Sequence, residues 1–90
     1  MKDQQTYRER VKQEFQNWNS RNRIPLSEEE IDHIIFIGVS VLQTRDGGIP
    51  GGSFVQAIVN NDLSGAHSRA DSTNRKVIPF YITLKDHVKI

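Results

Sequence analysis

A strong helix start leads into a long apolar segment in the first half of the sequence, and together they restrict the fold. Ser27 and Glu30 have the S-x-x-E spacing of a capping box, in which each side chain hydrogen-bonds the other residue's backbone amide. The segment that follows, residues 33–42, is apolar on nearly every side of a helix. Such a helix must be covered on most sides, so we predict a helical core around residues 28–44. Gly38 within it indicates a close crossing with another helix.

Three further segments carry apolar residues at helical spacing and are predicted as helices over about 4–20, 54–70 and 73–88. The apolar stripe of the first, which is expected to be core, consists of Tyr7, Val11, Phe15 and Trp18. Pro79 is expected to kink the last helix, unless residues 77–84 are partly extended as a strand. Because a lone strand would have no partner in this chain, we predict one all-α domain over residues 1–90, a bundle of about four helices.

A glycine-rich loop over residues 47–52 precedes the third predicted helix. Ser53 and Gln56 are predicted to form a second capping box at the start of that helix. Glycines ahead of a helix start can present backbone amides to a phosphate or carboxylate, which makes Gly51, Gly52 and Ser53 candidate ligand-binding residues. The loop lacks the Gly-Lys-Ser/Thr ending of a Walker motif. A tight connection between two helices is the alternative interpretation.

Polar residues are unusually dense over 60–75, along and just beyond the third predicted helix. Asn, Asp, Gly and Ser are poor interior helix formers, so this density costs local stability and calls for another cause. The candidate ligand-binding residues of this cluster are Asn61, Asp62, Arg69, Asp71, Asn74 and Arg75. Alternatively, Asn61 or Asp62 hydrogen-bonds the glycine loop and Asp71 caps the last helix. Both interpretations are open at this point.

Catalytic and metal sites are not indicated by residue spacing. The three histidines, His33, His67 and His87, lack metal-ligand spacing, and the chain has no cysteine. Ser53, His67 and Asp62 can be combined on paper into a nucleophilic triad, but no nucleophile-elbow motif accompanies them. We therefore expect neither an enzyme, nor a cofactor, nor a metal site.

Charge and hydropathy restrict the partners. Twelve basic and 11 acidic residues give a formal net charge of +1, which provides no general attraction to nucleic acid or to a membrane surface. The longest apolar run, residues 34–39, is far shorter than the ~20 residues that span a bilayer, and the sequence opens without a signal-peptide core. We therefore predict a cytoplasmic protein without a membrane partner, and nucleic acid is disfavoured.

Residues 51–75 resemble a group of small phage and prophage proteins of unassigned function. The shared pattern is G-G-x-F-hydrophobic-x-A-hydrophobic-x-x-N-D-L, followed by A, A-D and N. In this chain the pattern falls on Gly51, Gly52, Phe54, Val55, Ala57, Ile58, Asn61, Asp62, Leu63, Ala66, Ala70, Asp71 and Asn74. The resemblance implies a phage-encoded accessory protein made in the bacterial cytoplasm, and it implies no particular activity.

The expected function is binding without catalysis, at a site near the glycine loop and the polar cluster. The leading prediction is sequestration of a small anionic, nucleotide-like ligand, with a counter-defence role. The alternatives are an inhibitor that binds a host or defence protein and a small DNA-binding accessory protein. A homo-oligomer is a further alternative, because 90 residues provide a limited core and some apolar residues of the second helix could face another chain.

Overall fold

The computed structural model describes residues 3–90, and these residues form six α-helices and no strand. The helices are α1 Gln4–Asn22, α2 Glu28–Arg45, α3 Ser53–Val59, α4 Leu63–Arg69, α5 Ser72–Lys76 and α6 Ile78–His87. The all-α class is confirmed, whereas the predicted count of about four helices is wrong. Within this part of the chain, no helix combines the length and apolar character that crossing a membrane requires.

The first two helices agree with the sequence prediction because both have strong side-chain caps. Asp3 Oδ1 accepts a hydrogen bond from the Thr6 amide at 2.9 Å, and α1 ends where Arg23 adopts a left-handed φ of 54°. The predicted capping box of α2 is present. Ser27 Oγ accepts from the Glu30 amide at 3.1 Å, and Glu30 Oε1 accepts from the Ser27 amide at 3.0 Å.

The predicted third helix over 54–70 is wrong, because the chain breaks between α3 and α4. Asn61 adopts a left-handed φ of 62°, a conformation through which a right-handed helix does not continue. Asp62 then caps a new helix, with its Oδ1 accepting from the Gly65 amide at 2.9 Å. Both halves still bury apolar side chains, namely Phe54, Val55, Ala57 and Ile58 from α3 and Ala66 from α4.

The predicted fourth helix over 73–88 is also divided, at Val77, into α5 and α6. Asp71 caps α5 through its side chain, which agrees with the alternative interpretation of the polar cluster. Pro79 lies in the first turn of α6, where a backbone amide would have no partner within the helix, so the expected kink is not needed. The alternative of a strand in this segment is wrong, since these residues are helical from Ile78 onward.

Helix α2 is the centre of the bundle, and α1, α3, α5 and α6 all pack against it. Gly38 lies at its closest approach to two of them. A methyl group at this position would be 2.7 Å from Cγ1 of Val11 in α1 and 3.0 Å from Cδ1 of Leu84 in α6. The close crossing expected from the sequence is therefore confirmed.

An aromatic cluster joins α1 to α6. The fully buried ring of Phe80 has its centroid 5.2 Å from that of Phe15, in an edge-on arrangement, and 5.6 Å from that of Trp18. Tyr7, Val11 and Phe15 are buried and Trp18 packs against the core, so the predicted stripe of α1 is confirmed as core.

Candidate functional site

The glycine-rich loop is a tight, internally bonded connection between α2 and α3. The Gly51 amide donates to Thr44 Oγ1 at 2.8 Å, and Gln56 Nε2 donates to the Gly51 carbonyl, also at 2.8 Å. A methyl group at Gly51 would lie 2.5 Å from Ser40 Oγ, so a larger residue does not fit there. These contacts of Gly51 agree with the alternative interpretation of the loop as a tight connection between two helices.

The start of α3 differs from the prediction. Gly52 is the N-cap residue, with no side chain to cap the helix, and Ser53 is the first helical residue. The predicted Ser53–Gln56 capping box is therefore wrong, because Gln56 bonds the carbonyl of Gly51 instead. Ser53 and Gln56 both keep exposed side chains on α3.

Asn61 and Asp62 shape the connection from α3 to α4. The Asn61 side chain accepts a hydrogen bond from Lys85 Nζ, which ties this turn to α6. Asp62 uses Oδ1 to cap α4, and its Oδ2 lies 3.6 Å from Arg69 Nη1. Neither Asn61 nor Asp62 bonds the glycine loop as the alternative interpretation suggested, but Asp62 does serve as an internal cap.

The predicted site residues that follow α4 mostly make contacts within the bundle. They are Asp71, Asn74 and Arg75. Asp71 Oδ1 accepts from the Asn74 amide at 2.7 Å, and its Oδ2 lies 3.0 Å from His33 Nε2 on α2. Arg75 Nη2 donates to the Ala70 carbonyl at 3.1 Å. These contacts give Asp71 and Arg75 structural roles, as the alternative interpretation of the polar cluster expected for Asp71.

Asn74 is the buried polar residue of the described chain. Its Oδ1 accepts from the Tyr81 hydroxyl at 2.7 Å inside the bundle. Burial, together with the nearby charge of Asp71, raises the pKa of Tyr81 far above its usual value, so the hydroxyl stays protonated and donates. Asn74 is thus positioned to join α5 to α6, and its oxygen faces the interior.

Three of the predicted binding residues do come together at the surface between α3 and α4. They line a concave pocket of about 220 Å³, here called the polar pocket, whose lining residues are Ser53, Gln56, Ala57, Asn60, Asp62 and Arg69. The other six predicted residues, Gly51, Gly52, Asn61, Asp71, Asn74 and Arg75, are not among its lining residues.

Sequence reasoning missed Gln56, Ala57 and Asn60 of the polar pocket. The available signal was helical spacing, because these residues follow Ser53 by three, four and seven positions and so share one face of α3. That face is polar apart from Ala57, whereas the opposite face carries the buried residues of α3. Gln56 and Ala57 precede the dense polar segment 60–75, whereas Asn60 lies at its start and was not selected from it.

The chemistry of the polar pocket is that of recognition. It contains one guanidinium, one carboxylate, one hydroxyl and two amides. The side chains of Arg69 and Asp62 are 47% and 53% exposed, so both are accessible to a ligand. Over residues 3–90, no group of three or more His, Asp and Glu side chains is arranged to hold a metal ion.

A larger depression of about 520 Å³ lies at the end of α6. It is lined by Arg45, Asp46, Lys85, Asp86, Lys89 and Ile90. Arg45 Nη1 donates to the carbonyls of Leu84 and Lys85, both at 3.1 Å, and so satisfies carbonyls at the end of the helix. The hydrogen bond from Arg45 also holds the pKa of Asp46 below its usual range. Because Arg45 is engaged in this way, we regard the depression as part of the helix cap.

Comparisons of the chain with protein-family models, with curated proteins and with solved structures each give no match. The resemblance of residues 51–75 to phage and prophage proteins therefore stays a prediction. The polar pocket is the feature of the structure that bears on function.

Proposed function

We propose that this chain is a non-enzymatic binding protein that sequesters a small anionic, nucleotide-like ligand in the polar pocket. The observation that carries the proposal is that Ser53, Asp62 and Arg69 line one pocket together with two amide side chains. These three residues come from two helices and the turn between them. Their meeting is a product of the tertiary fold, and no single local motif accounts for it.

Arg69 is the group that would hold the anion. Its ion pair with Asp62 is long, at 3.6 Å, and both partners are about half exposed. Exposed pairs of this kind contribute only about 0–1 kcal/mol, so Arg69 can turn from Asp62 to a ligand at small cost. A guanidinium presents parallel N–H groups that match the oxygens of a phosphate.

The remaining groups favour a ligand that is more than a bare anion. Asn60 and Gln56 carry amides that both donate and accept, which suits the edge of a nucleobase or a sugar hydroxyl. Asp62 lies 3.6 Å from Arg69, so its negative charge opposes a phosphate held there, and Arg69 has to turn away from Asp62 to bind one. Asp62 can then accept hydrogen bonds from hydroxyl or amino groups. A nucleotide provides a partner for both kinds of group, because it carries an anionic group and several neutral donors.

The volume of the polar pocket limits how much of the ligand is enclosed. At about 220 Å³ it is smaller than the ~300–1,000 Å³ of typical pockets for drug-sized ligands. We therefore expect the phosphate and its neighbouring sugar to be held while the rest of the ligand stays at the surface.

The resemblance at residues 51–75 provides the biological setting of the proposal. It suggests a phage- or prophage-encoded accessory protein acting in the cytoplasm of a bacterial host. Two positions of the shared pattern lie at the polar pocket. Gly52 directly precedes Ser53 at the start of α3, and Asp62 follows α3 and lines the pocket itself. Sequestration of a nucleotide-like signal in that setting is a counter-defence activity.

Thermal unfolding with and without ligand tests the proposal. The probes are a panel of mono- and dinucleotides, with inorganic phosphate for comparison, and the variant is Arg69→Gln. At a ligand concentration of about 100 Kd, binding to the folded state alone stabilises it by about 2.7 kcal/mol. We expect a nucleotide to raise the Tm of the unmodified chain and to have little effect on Arg69→Gln.

Arg21→Gln is the matched control, because Arg21 is an exposed arginine of α1 that is not among the residues lining the polar pocket. This variant should respond to nucleotides like the unmodified chain. The proposal is wrong if no nucleotide in the panel changes the Tm, or if Arg69→Gln responds as strongly as Arg21→Gln does.

A further inference from the structure

The charge of the polar pocket comes from two of its six lining residues. Arg69 provides a positive charge and Asp62 a negative charge, and the other four are neutral. Arg69 Nη1 and Asp62 Oδ2 are 3.6 Å apart, so the two charges lie side by side. The lining residues therefore carry no net charge, and a ligand with many negative charges meets a single guanidinium.

Asp62 is held in place at the start of α4. Its Oδ1 accepts a hydrogen bond from the Gly65 amide at 2.9 Å, and its own amide donates to the Ala57 carbonyl at 2.8 Å. The first of these bonds is the cap of α4, so turning the carboxylate away from the polar pocket would remove that cap. The negative charge of Asp62 is therefore a fixed part of the pocket.

Arg69 is the movable partner of this pair. Its guanidinium reaches back along α4 to Asp62 across Gly65, where a methyl group would overlap both Asp62 Oδ2 and Arg69 Nη1. At 3.6 Å the contact exceeds the ~2.7–3.2 Å of a hydrogen bond, and about half of the Arg69 side chain is exposed. Arg69 can therefore turn toward a ligand, whereas Asp62 stays beside the place that the ligand takes.

Two other bases that contact this part of the chain are held outside the polar pocket. Arg75 Nη2 donates to the Ala70 carbonyl at 3.1 Å, at the end of α4. Lys85 Nζ donates to the Asn61 side chain, and only 7% of the Lys85 side chain is exposed. Neither Arg75 nor Lys85 is among the residues that line the polar pocket. Arg69 is thus the cation that the pocket offers to an anion.

We infer that Asp62 is the specificity-determining residue of the polar pocket and restricts its anionic ligand to a phosphodiester, which carries one negative charge. This inference rests on the proposed function, because it concerns the ligand of the same pocket. Arg69 balances the single charge of a diester. A phosphate monoester carries about −1.5 to −2 at neutral pH, and a polyphosphate carries more, so their surplus charge faces the fixed Asp62 carboxylate. Discrimination by an unfavourable contact is a general route to specificity.

The expected size of the discrimination follows from the exposure of the two charged side chains. Asp62 and Arg69 are both about half exposed, so water screens their charges. Two unit charges about 4 Å apart in water interact with an energy that changes an affinity about fivefold. Each surplus negative charge that a ligand places beside Asp62 should therefore weaken binding by about that factor.

NMR titration of the full chain, at constant ionic strength and neutral pH, tests the inference through the Nε–H signal of Arg69. The probes are the methyl ester of AMP, AMP and ATP, which share one nucleoside and differ in phosphate charge. We expect the unmodified chain to bind the methyl ester most tightly and ATP most weakly. In Asp62→Asn, the ratio of the ATP to the methyl ester dissociation constant should fall at least about fivefold. Asparagine caps a helix about as well as aspartate, so α4 should persist.

Asp32→Asn is the matched control, because Asp32 is an exposed aspartate of α2 that does not line the polar pocket. It removes the same charge from the chain and should leave the ratio unchanged. Asn60→Asp is a second variant, which adds a carboxylate to the pocket and leaves the cap of α4 untouched. It should raise the ratio about fivefold, so it tests the inference even if Asp62→Asn loses α4.

Equal dissociation constants of the unmodified chain for all three nucleotides would overturn the inference. So would a ratio that changes equally in Asp62→Asn and Asp32→Asn, or one that Asn60→Asp leaves unchanged. These results leave the proposed function standing, because a nucleotide is still bound. If none of the three nucleotides moves the Arg69 signal in the unmodified chain or in Asp62→Asn, the proposed function is wrong, and this inference is wrong with it.

Discussion

The two long helices and the four short helices of this chain bury apolar residues at the same spacing, but their ends are set in different ways. α1 and α2 run for 19 and 18 residues, whereas α3 to α6 have between five and ten. In the long helices a cap occurs once, before the apolar pattern begins. In the second half of the chain, Asp62 and Asp71 cap new helices within the pattern, and α6 begins after Val77 without a side-chain cap. Apolar spacing therefore identifies the buried face, and caps and turns within the pattern decide how many helices carry it.

The short helices depend on the rest of the bundle. Isolated helices below about 12–15 residues are marginal in water, so α3 to α6 need tertiary packing to persist. That packing comes from α2 and from the aromatic cluster around Phe80. Substitutions at the packing, at the buried hydrogen bond, at the caps and at the charged contacts test this difference between the two halves of the chain.

Phe80→Ala should have the largest effect. Phe80 is fully buried and packs against Phe15 and Trp18, so its removal leaves a cavity between α1 and α6. We expect the free energy of unfolding to fall by about 3–5 kcal/mol in urea titrations. Phe36→Ala is the matched control, because Phe36 is 60% exposed and its loss should cost well under that amount in the monomer. Equal losses in both variants would contradict this view of the core.

Tyr81→Phe removes the one side-chain hydrogen bond that Asn74 Oδ1 accepts inside the bundle. An unsatisfied buried acceptor costs about 1–3 kcal/mol, so the unfolding free energy should fall by that amount. Tyr7→Phe is the matched change in the first half of the chain, where the hydroxyl donates to the partly exposed Asp46. Water can replace that bond, so the loss should be smaller. A larger loss for Tyr7→Phe would reverse the comparison.

Asp71→Ala removes the cap of α5 and should cost about 1 kcal/mol. Amide hydrogen exchange should show faster exchange in α5 than in α2, because a five-residue helix has few other bonds to hold it. Asp71→Asn is the control, since asparagine caps a helix about as well as aspartate. If the asparagine variant is destabilised as much as the alanine variant, the contact with His33 matters more than the cap.

Acid titration should produce the smallest of these effects. Hydrogen bonds from Lys76, the Ser27 amide and Thr73 lower the pKa of Glu30 from 4.5 to about 2. Because this pKa is lower in the folded state, its contribution to stability is present above pH 4.5 and is lost as the pH falls toward about 2. Glu30→Gln should therefore be less stable than the unmodified chain near neutral pH. The difference in Tm between the two chains should shrink as the pH falls from 4.5 toward about 2. A difference that stays constant would contradict the lowered pKa of Glu30.

The sequence was sufficient to predict the all-α class, the bounds of α1 and α2 to within about two residues, and the close crossing at Gly38. It was insufficient for the second half, where the left-handed φ of Asn61 and the cap by Asp62 divide the predicted third helix. Their propensities alone are compatible with a continuous helix of reduced stability. The capping role of Asp71 was one of two interpretations that the sequence left open, and the predicted cap at Ser53 was wrong because Gly52 takes that position.

The candidate site follows the same division. Ser53, Asp62 and Arg69 meet at the polar pocket, and the polar residues farther along the chain are used inside the fold. Asn74 shows why density of polar residues is an ambiguous signal. Its side chain satisfies the Tyr81 hydroxyl in the interior, and no local pattern distinguishes that role from ligand binding.

Native mass spectrometry of gently purified protein detects ligand capture by the polar pocket as an added mass. We expect the unmodified chain and Arg21→Gln to retain or take up a nucleotide, and Arg69→Gln to give the bare protein. A bare mass for the unmodified chain after addition of the full nucleotide panel, or an equal added mass on Arg69→Gln, would contradict it.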